Sequence, residues 1–170
     1  MKNIFFIIAL LCSSSVAFGQ DIFSAARTND TTYVIQYVQN QGVIDTANVR
    51  GFTPLILAIY NDSYAVAQLL IENGANVNAQ DKSGNTALMG AVFKAYPRMV
   101  TLLLASKVDV NQQNFNGATA LVFAATFGQA DIAKNLLASG ADKSIKDNTG
   151  KTALDHATFQ ENNAMEEILK

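Results

Sequence analysis

From residue 51 onward, short apolar clusters alternate with polar turns, and the alternation repeats with a constant step of 33 residues. Gly51, Gly84, Gly117 and Gly150 keep that step, as do Thr53, Thr86, Thr119 and Thr152. Leu55, Leu88, Leu121 and Leu154 follow in phase, then Ala58, Ala91, Ala124 and Ala157. A second block runs Val66, Met99, Ile132, Met165 and Leu70, Leu103, Leu136, Leu169. Six columns in register over four copies describe one structural unit used repeatedly.

The columns predict a pair of short helices per unit. Gly suits a turn that needs positive φ, and Thr two residues later can cap the next helix through its hydroxyl. Pro54 follows Thr53 at the first helical position, where its missing N–H costs nothing. Leu at Thr+2 and Ala at Thr+5 share a face, the Ala small enough for a neighbouring helix to come close. Val66, Leu69, Leu70 and Ile71 give a second helix one broad apolar side. Asn73-Gly74 ends it, with Gly suited to the left-handed residue after the helix. One such hairpin cannot bury its apolar face alone, so the units must stack.

This pattern resembles the ankyrin-repeat family. The resemblance rests on Gly51-Phe52-Thr53-Pro54-Leu55 with Leu69 through Asn78, on Gly84-Asn85-Thr86-Ala87-Leu88, and on Gly117-Ala118-Thr119-Ala120-Leu121 with Leu136 through Asp142. It implies an all-α solenoid of helix-turn-helix units joined by long polar turns, with repeats at approximately 21–47, 48–80, 81–113, 114–146 and 147–170. Three departures matter. The family's His after the Leu is replaced by Ile56, Met89, Val122 and Asp155, so the polar link that His makes between turns should be missing. Lys107 stands where Gly74 and Gly140 stand in other copies, which predicts a strained or differently shaped turn. Pro97 starts a second helix and does not break one.

The two ends read as caps. Ile22, Phe23, Ala25 and Ala26 would form the first helix of a degenerate repeat, with Val34, Tyr37 and Val38 facing inward from its second. Gly42 precedes Gly74 by one residue less than the period. The last repeat stops within its second helix and carries Glu161, Asn162, Asn163, Glu166, Glu167 and Lys170 on a polar outer side, as expected of a stack closed at both ends.

Residues 1–19 read as a secretory signal peptide. Lys2 precedes the apolar run Ile4–Leu11, and Ala17-Phe18-Gly19 sets cleavage between Gly19 and Gln20. The run is too short to span a bilayer comfortably. Leu10-Leu11 put a bulky residue where a lipid-attachment signal needs a small one before Cys12. The expected destination is periplasmic or secreted, with no stable membrane insertion after cleavage. Cys12 is the single cysteine and leaves with the leader, so packing alone must hold the mature chain.

Composition narrows the chemistry. A formal charge of −2 with scattered Lys and Arg argues against nucleic acid. One histidine, His156, gives no metal set, and no cofactor loop is present. Asp155-His156 invites a catalytic-dyad reading, but no nucleophile pairs with it, and the residues read as helix packing. Asn76, Asn78, Asp81 and Asp109 lack calcium-loop spacing and read as turn formers. The chain is therefore not expected to be an enzyme, and no metal, cofactor or catalytic residue is assigned.

In the family, partners meet the concave side, built from turn tips and the exposed face of each first helix. By register that gives Arg50, Phe52, Lys82, Asn85, Phe115, Asn116 and Lys151 at the tips, with Tyr60, Asn61, Phe93, Lys94, Phe127 and Phe159 on the helices. Phe93 and Phe127 stand out, because large rings at solvent-facing positions suit binding hot spots. The resemblance implies a monomeric, non-catalytic scaffold for a protein partner. Narrower versions are an immunity-type neutraliser of a toxic enzyme, or an assembly or protection factor for a periplasmic oxidative-stress enzyme.

Overall fold

A computed structural model describes residues 21–170. The expected leader, its expected cleavage point and Cys12 lie outside the described residues. Ten helices form in order: α1 (Ile22–Thr28), α2 (Thr31–Gln39), α3 (Pro54–Tyr60), α4 (Tyr64–Glu72), α5 (Ala87–Phe93), α6 (Pro97–Leu104), α7 (Ala120–Thr126), α8 (Ala130–Ala138), α9 (Ala153–Phe159) and α10 (Asn163–Leu169). The odd-numbered helices form an inner row in which α1, α3, α5, α7 and α9 touch in sequence order. Each packs on its own even-numbered partner, and those partners form an outer row. Among the described residues the one extended pairing is an isolated antiparallel bridge between Gln80 and Thr86.

Local chemistry starts each inner helix. The hydroxyls of Thr53, Thr86 and Thr119 accept the N–H groups of Ile56, Met89 and Val122 at 3.3–3.4 Å. Thr152 does the same for Asp155, and Asp155 returns the favour by accepting the Thr152 N–H at 2.8 Å. The position that carries His in the family is thus the third residue of each helix. In three copies it is a buried apolar residue, and in the last it is the acid of a capping box.

Packing explains the remaining columns. Ala58, Ala91, Ala124 and Ala157 are fully buried, and Ala25 extends the column into the first repeat. With no side chain beyond Cβ, these residues let successive inner helices approach. Leu70, Leu103 and Leu136 fill the seam between the rows, each worth about 1.5–3 kcal/mol of burial. In the first repeat Ile22, Ala25, Ala26 and Val34 are buried, while Phe23, Tyr37 and Val38 are half-buried against the same core. No residue is missing from that repeat: Ala25, Asn29 and Asp30 stand one full period before Ala58, Asp62 and Ser63. Gln41, at φ 58°, takes the place of Gly74, while Gly42 matches Ala75.

The turns bear on two expectations. First, where the family's His link is replaced, a different column supplies a polar link between turns. Gln80 Nε2 donates to the Gly84 carbonyl at 2.6 Å and to the Gln113 carbonyl of the next turn at 3.0 Å. Gln113 repeats both bonds, to Gly117 at 2.6 Å and Lys146 at 3.0 Å. A second ladder runs beside it: Asp45, Asn78 and Asn111 side chains accept the N–H groups of Asn76, Asp109 and Asp142 at 2.7–2.9 Å. Second, Lys107 is not strained. Gly74 and Gly140 take φ of 87° and 89°, whereas Lys107 avoids that region because α6 stops one residue short of its counterparts. The turn changes shape, the second of the two outcomes foreseen for it.

Candidate protein-binding face

The concave side is laid down by hydrogen bonds within and between neighbouring turn tips. At the tips, the Asn48, Asp81, Asn114 and Asp147 side chains each accept two backbone N–H groups of their own turn, at 2.8–3.1 Å. Adjacent tips are then tied by backbone bonds: Lys82 N–H to Arg50 O at 3.1 Å, Phe115 N–H to Ser83 O at 3.1 Å, and Asn148 N–H to Asn116 O at 3.0 Å. Gly84 permits this approach. Its φ is +78°, and a Cβ there would lie 2.6 Å from Phe115 N. Asn76, Asp81 and Asp109 each accept a backbone N–H of their own turn, the role expected of them, whereas Asn78 accepts the Asp109 N–H of the next repeat.

The predicted surface residues divide into two groups. Arg50, Asn61, Lys82, Phe93, Lys94, Phe115, Asn116, Phe127, Lys151 and Phe159 are exposed. Phe52, Tyr60 and Asn85 are half-buried and serve the scaffold. Phe52 and Tyr60 rings meet at 5.7 Å, and Asn85 Oδ1 accepts from the Asn114 amide at 2.9 Å. Burial raises the Tyr60 phenol above its ordinary pKa, and the Asp81 charge adds to the effect.

Phe93 and Phe127 come together. Their centroids are 5.4 Å apart with ring planes at 77°, the edge-to-face arrangement favoured by ring quadrupoles, yet half of each side remains open to solvent. Phe123 joins them, 6.2 Å from Phe127. Phe159 stands apart, 74% exposed, with the Lys151 ammonium 5.0 Å from its ring centre.

A groove of ≈ 310 Å³ opens between the fourth and fifth repeats. Val122, Phe123 and Phe127 make its apolar wall, and Asn116, Asn148 and His156 border it. Phe123 was not singled out from sequence, and His156 was weighed there only as half of a catalytic dyad. They belong to one column (Leu57, Gly90, Phe123, His156) that precedes the aromatic column by three residues, a single helical turn. That spacing was the available signal.

His156 also has a different partner from the one its neighbour suggested. Asp155 turns back to Thr152, and His156 Nε2 lies 2.7 Å from Asp147 Oδ2 across the turn. The Thr149 hydroxyl bond, with further help from His156 and from the Lys151 and Thr149 N–H groups, holds the Asp147 carboxyl well below the usual carboxylate range. A carboxylate so engaged is a turn anchor and a poor proton acceptor. Among the described residues no three His, Cys, Asp or Glu side chains converge as a metal set, and no helix is long and apolar enough to cross a membrane.

Comparison with known proteins agrees with this geometry. The model for ankyrin repeats, three copies long, matches residues 6–81, 22–114 and 88–170. A 69-residue stretch is 30% identical to the palmitoyltransferase akr1 of Emericella nidulans, covering 40% of this chain and 9% of that protein. The chain therefore spans less than a tenth of that relative, and the likeness carries none of its activity. The architecture and the match to the repeat model lead to one conclusion: the chain belongs to the ankyrin-repeat family, whose repeats are protein-interaction scaffolds and generally non-catalytic.

Proposed function

We propose that the protein is exported from the cytoplasm and captures a protein partner through the concave face centred on Phe93 and Phe127. The observation that carries the binding site is the open edge-to-face pair itself. Two rings from adjacent repeats lie 5.4 Å apart and half exposed, and Phe127 borders an apolar groove. Preformed aromatic anchors bring contact area at low entropic cost. Support for export is the residue pattern of positions 1–19. The partner decides between the narrower roles. A toxic enzyme would make the protein a neutraliser, and a catalase or peroxidase would make it a protection factor.

The test is affinity capture from the envelope fraction of the source cell, with wild type and a Phe93→Ala/Phe127→Ala double variant side by side. The proposal expects a partner recovered by wild type and lost by the variant. Equal recovery by both would move the site elsewhere. Recovery of the uncleaved chain from the cytoplasm alone would remove the export part.

A further inference from the structure

We infer that the occupant of this face is an acidic segment of a partner protein carrying a large apolar side chain. The apolar side chain would enter the groove beside Phe123 and Phe127, and the carboxylates would lie along the turn tips. This rests on the concave-face reading above and adds the chemistry of the partner.

The argument is one of sorted charge. The chain as a whole carries a formal charge of −2. Its turn tips do not share that sign. Arg50, Lys82 and Lys151 are exposed there, and among the described residues none of them forms an ion pair. The two acids on the same tips are already engaged. Asp81 is buried and accepts the Ser83 and Asn85 N–H groups. Asp147 accepts from Thr149 and Lys151 and pairs with His156. Asp155, at the start of the last inner helix, closes on Thr152. The outer row and its turns carry both signs, with Glu72, Asp109, Asp131, Asp142 and Glu167 exposed beside Arg98, Lys107, Lys134, Lys143 and Lys170. The working edge is therefore set apart by exposed cations whose neighbouring carboxylates are tied into turn and cap hydrogen bonds.

That edge is continuous with the groove. The backbone bonds from Arg50 to Lys82, from Ser83 to Phe115 and from Asn116 to Asn148 make the tips one row, and Asn116 and Asn148 are themselves on the rim. A ligand lying along the row meets cations, Phe115, and then the apolar wall. Complementary charge steers such a ligand and rejects like-charged ones, while the buried apolar contact supplies most of the affinity. Nucleic acid fits less well. Three cations spread over four turns neutralise few phosphates, and Phe93 and Phe127 are turned edge to face on each other and not arranged as a base-stacking platform.

The full chain is panned against a displayed library of random dodecapeptides, and selected peptides are measured by fluorescence anisotropy. The expected winners place Asp or Glu around one Leu, Phe or Trp. Their affinity should fall on adding salt, and by roughly tenfold or more in a Lys82→Glu/Lys151→Glu variant. Both lysines are exposed, so circular dichroism should report an unchanged fold. Neutral or basic winners, acidic winners indifferent to that variant, or no enrichment would overturn the inference. So would an oligothymidine or a phosphatidylserine vesicle bound as tightly through the same lysines. If neutral winners nonetheless depend on Phe93 and Phe127, the concave-face reading stands and only the charge assignment fails.

Discussion

Tyr60 lies across Gly90, so that a Cβ on Gly90 would sit 2.8 Å from the Tyr60 ring. Gly90 is inside α5, where a glycine is unfavourable by about 1 kcal/mol relative to alanine. The glycine is kept because the ring of the preceding repeat occupies its side-chain space. Gly90→Ala alone should gain nothing, since the helix improves while Tyr60 is pushed off Phe52. In a Tyr60→Ala background the same change should stabilise by about 0.5–1 kcal/mol. Urea denaturation of the four proteins in the cycle reads this sign reversal.

Ala95 occupies a left-handed position, with φ of 54°, in the exposed turn between α5 and α6. Its counterpart in the next repeat is Gly128, at φ 68°. Left-handed backbone costs an L-residue about 1–2 kcal/mol, and glycine gives back part of that in unfolded-state entropy. Ala95→Gly should therefore raise stability by about 0.5–1 kcal/mol. Gly128→Ala should lower it by a similar amount, read as opposite shifts in thermal midpoint.

Asn114 is buried and holds three bonds: the Asn116 and Ala118 N–H groups on Oδ1, and Asn85 Oδ1 on its amide. Asn114→Ala loses all three bonds, leaves the buried Ala118 N–H unpaired, and should cost about 2 kcal/mol. Asn114→Asp keeps both turn bonds, as Asp81 and Asp147 do in their own turns, and should cost less. Chemical denaturation of the two variants checks the order.

The Asp147 carboxyl is held down by its bonds to Thr149, His156 and the turn. Its folded pKa is below its ordinary value of 3.8, so the folded state binds this proton less readily than the unfolded chain. Its stabilisation is complete above the unfolded value and disappears as pH falls through the folded one. Asp147→Asn retains an acceptor for the turn, as Asn114 shows, and removes the titration. The variant should be less stable near neutrality, with a shallower loss of urea midpoint below about pH 4.

Phe93 and Phe127 are half exposed, whereas Leu121 is 1% exposed. Phe127→Ala should cost under about 1 kcal/mol, while Leu121→Ala should cost about 2–5 kcal/mol by leaving a cavity. Thermal melts of the two variants separate a binding ring from a structural one.

The fold was legible because each repeated column has one local cause. Thr at a cap, Gly at positive φ and Ala where helices touch are fixed by sterics and short-range hydrogen bonds, which a spacing of residues can announce. Lys107 was half legible: the missing glycine announced an altered turn, but an earlier helix end relieved the strain. The Gln80 and Gln113 links were hidden, because an amide side chain gives no hint of which neighbouring carbonyl it will reach. The binding face lay in between. Register placed Phe93 and Phe127 on one side, yet the ring geometry and the pairing of His156 with Asp147 depend on contacts between repeats. Residues nine apart in sequence met because a turn and a helix start bring them face to face, and the adjacent Asp155 was drawn away by a cap.

Each rung of the two turn ladders crosses a single boundary, and on its far side each grips the main chain, a carbonyl or an N–H that any residue type provides. A second copy of segment 81–113 spliced in after the first would present the same main-chain groups at the same spacing, so the rungs on both sides of the splice could re-form unchanged. The edge thus behaves like a zip fastener of adjustable length. Reach along the concave side can be lengthened by whole teeth without redesigning any of them.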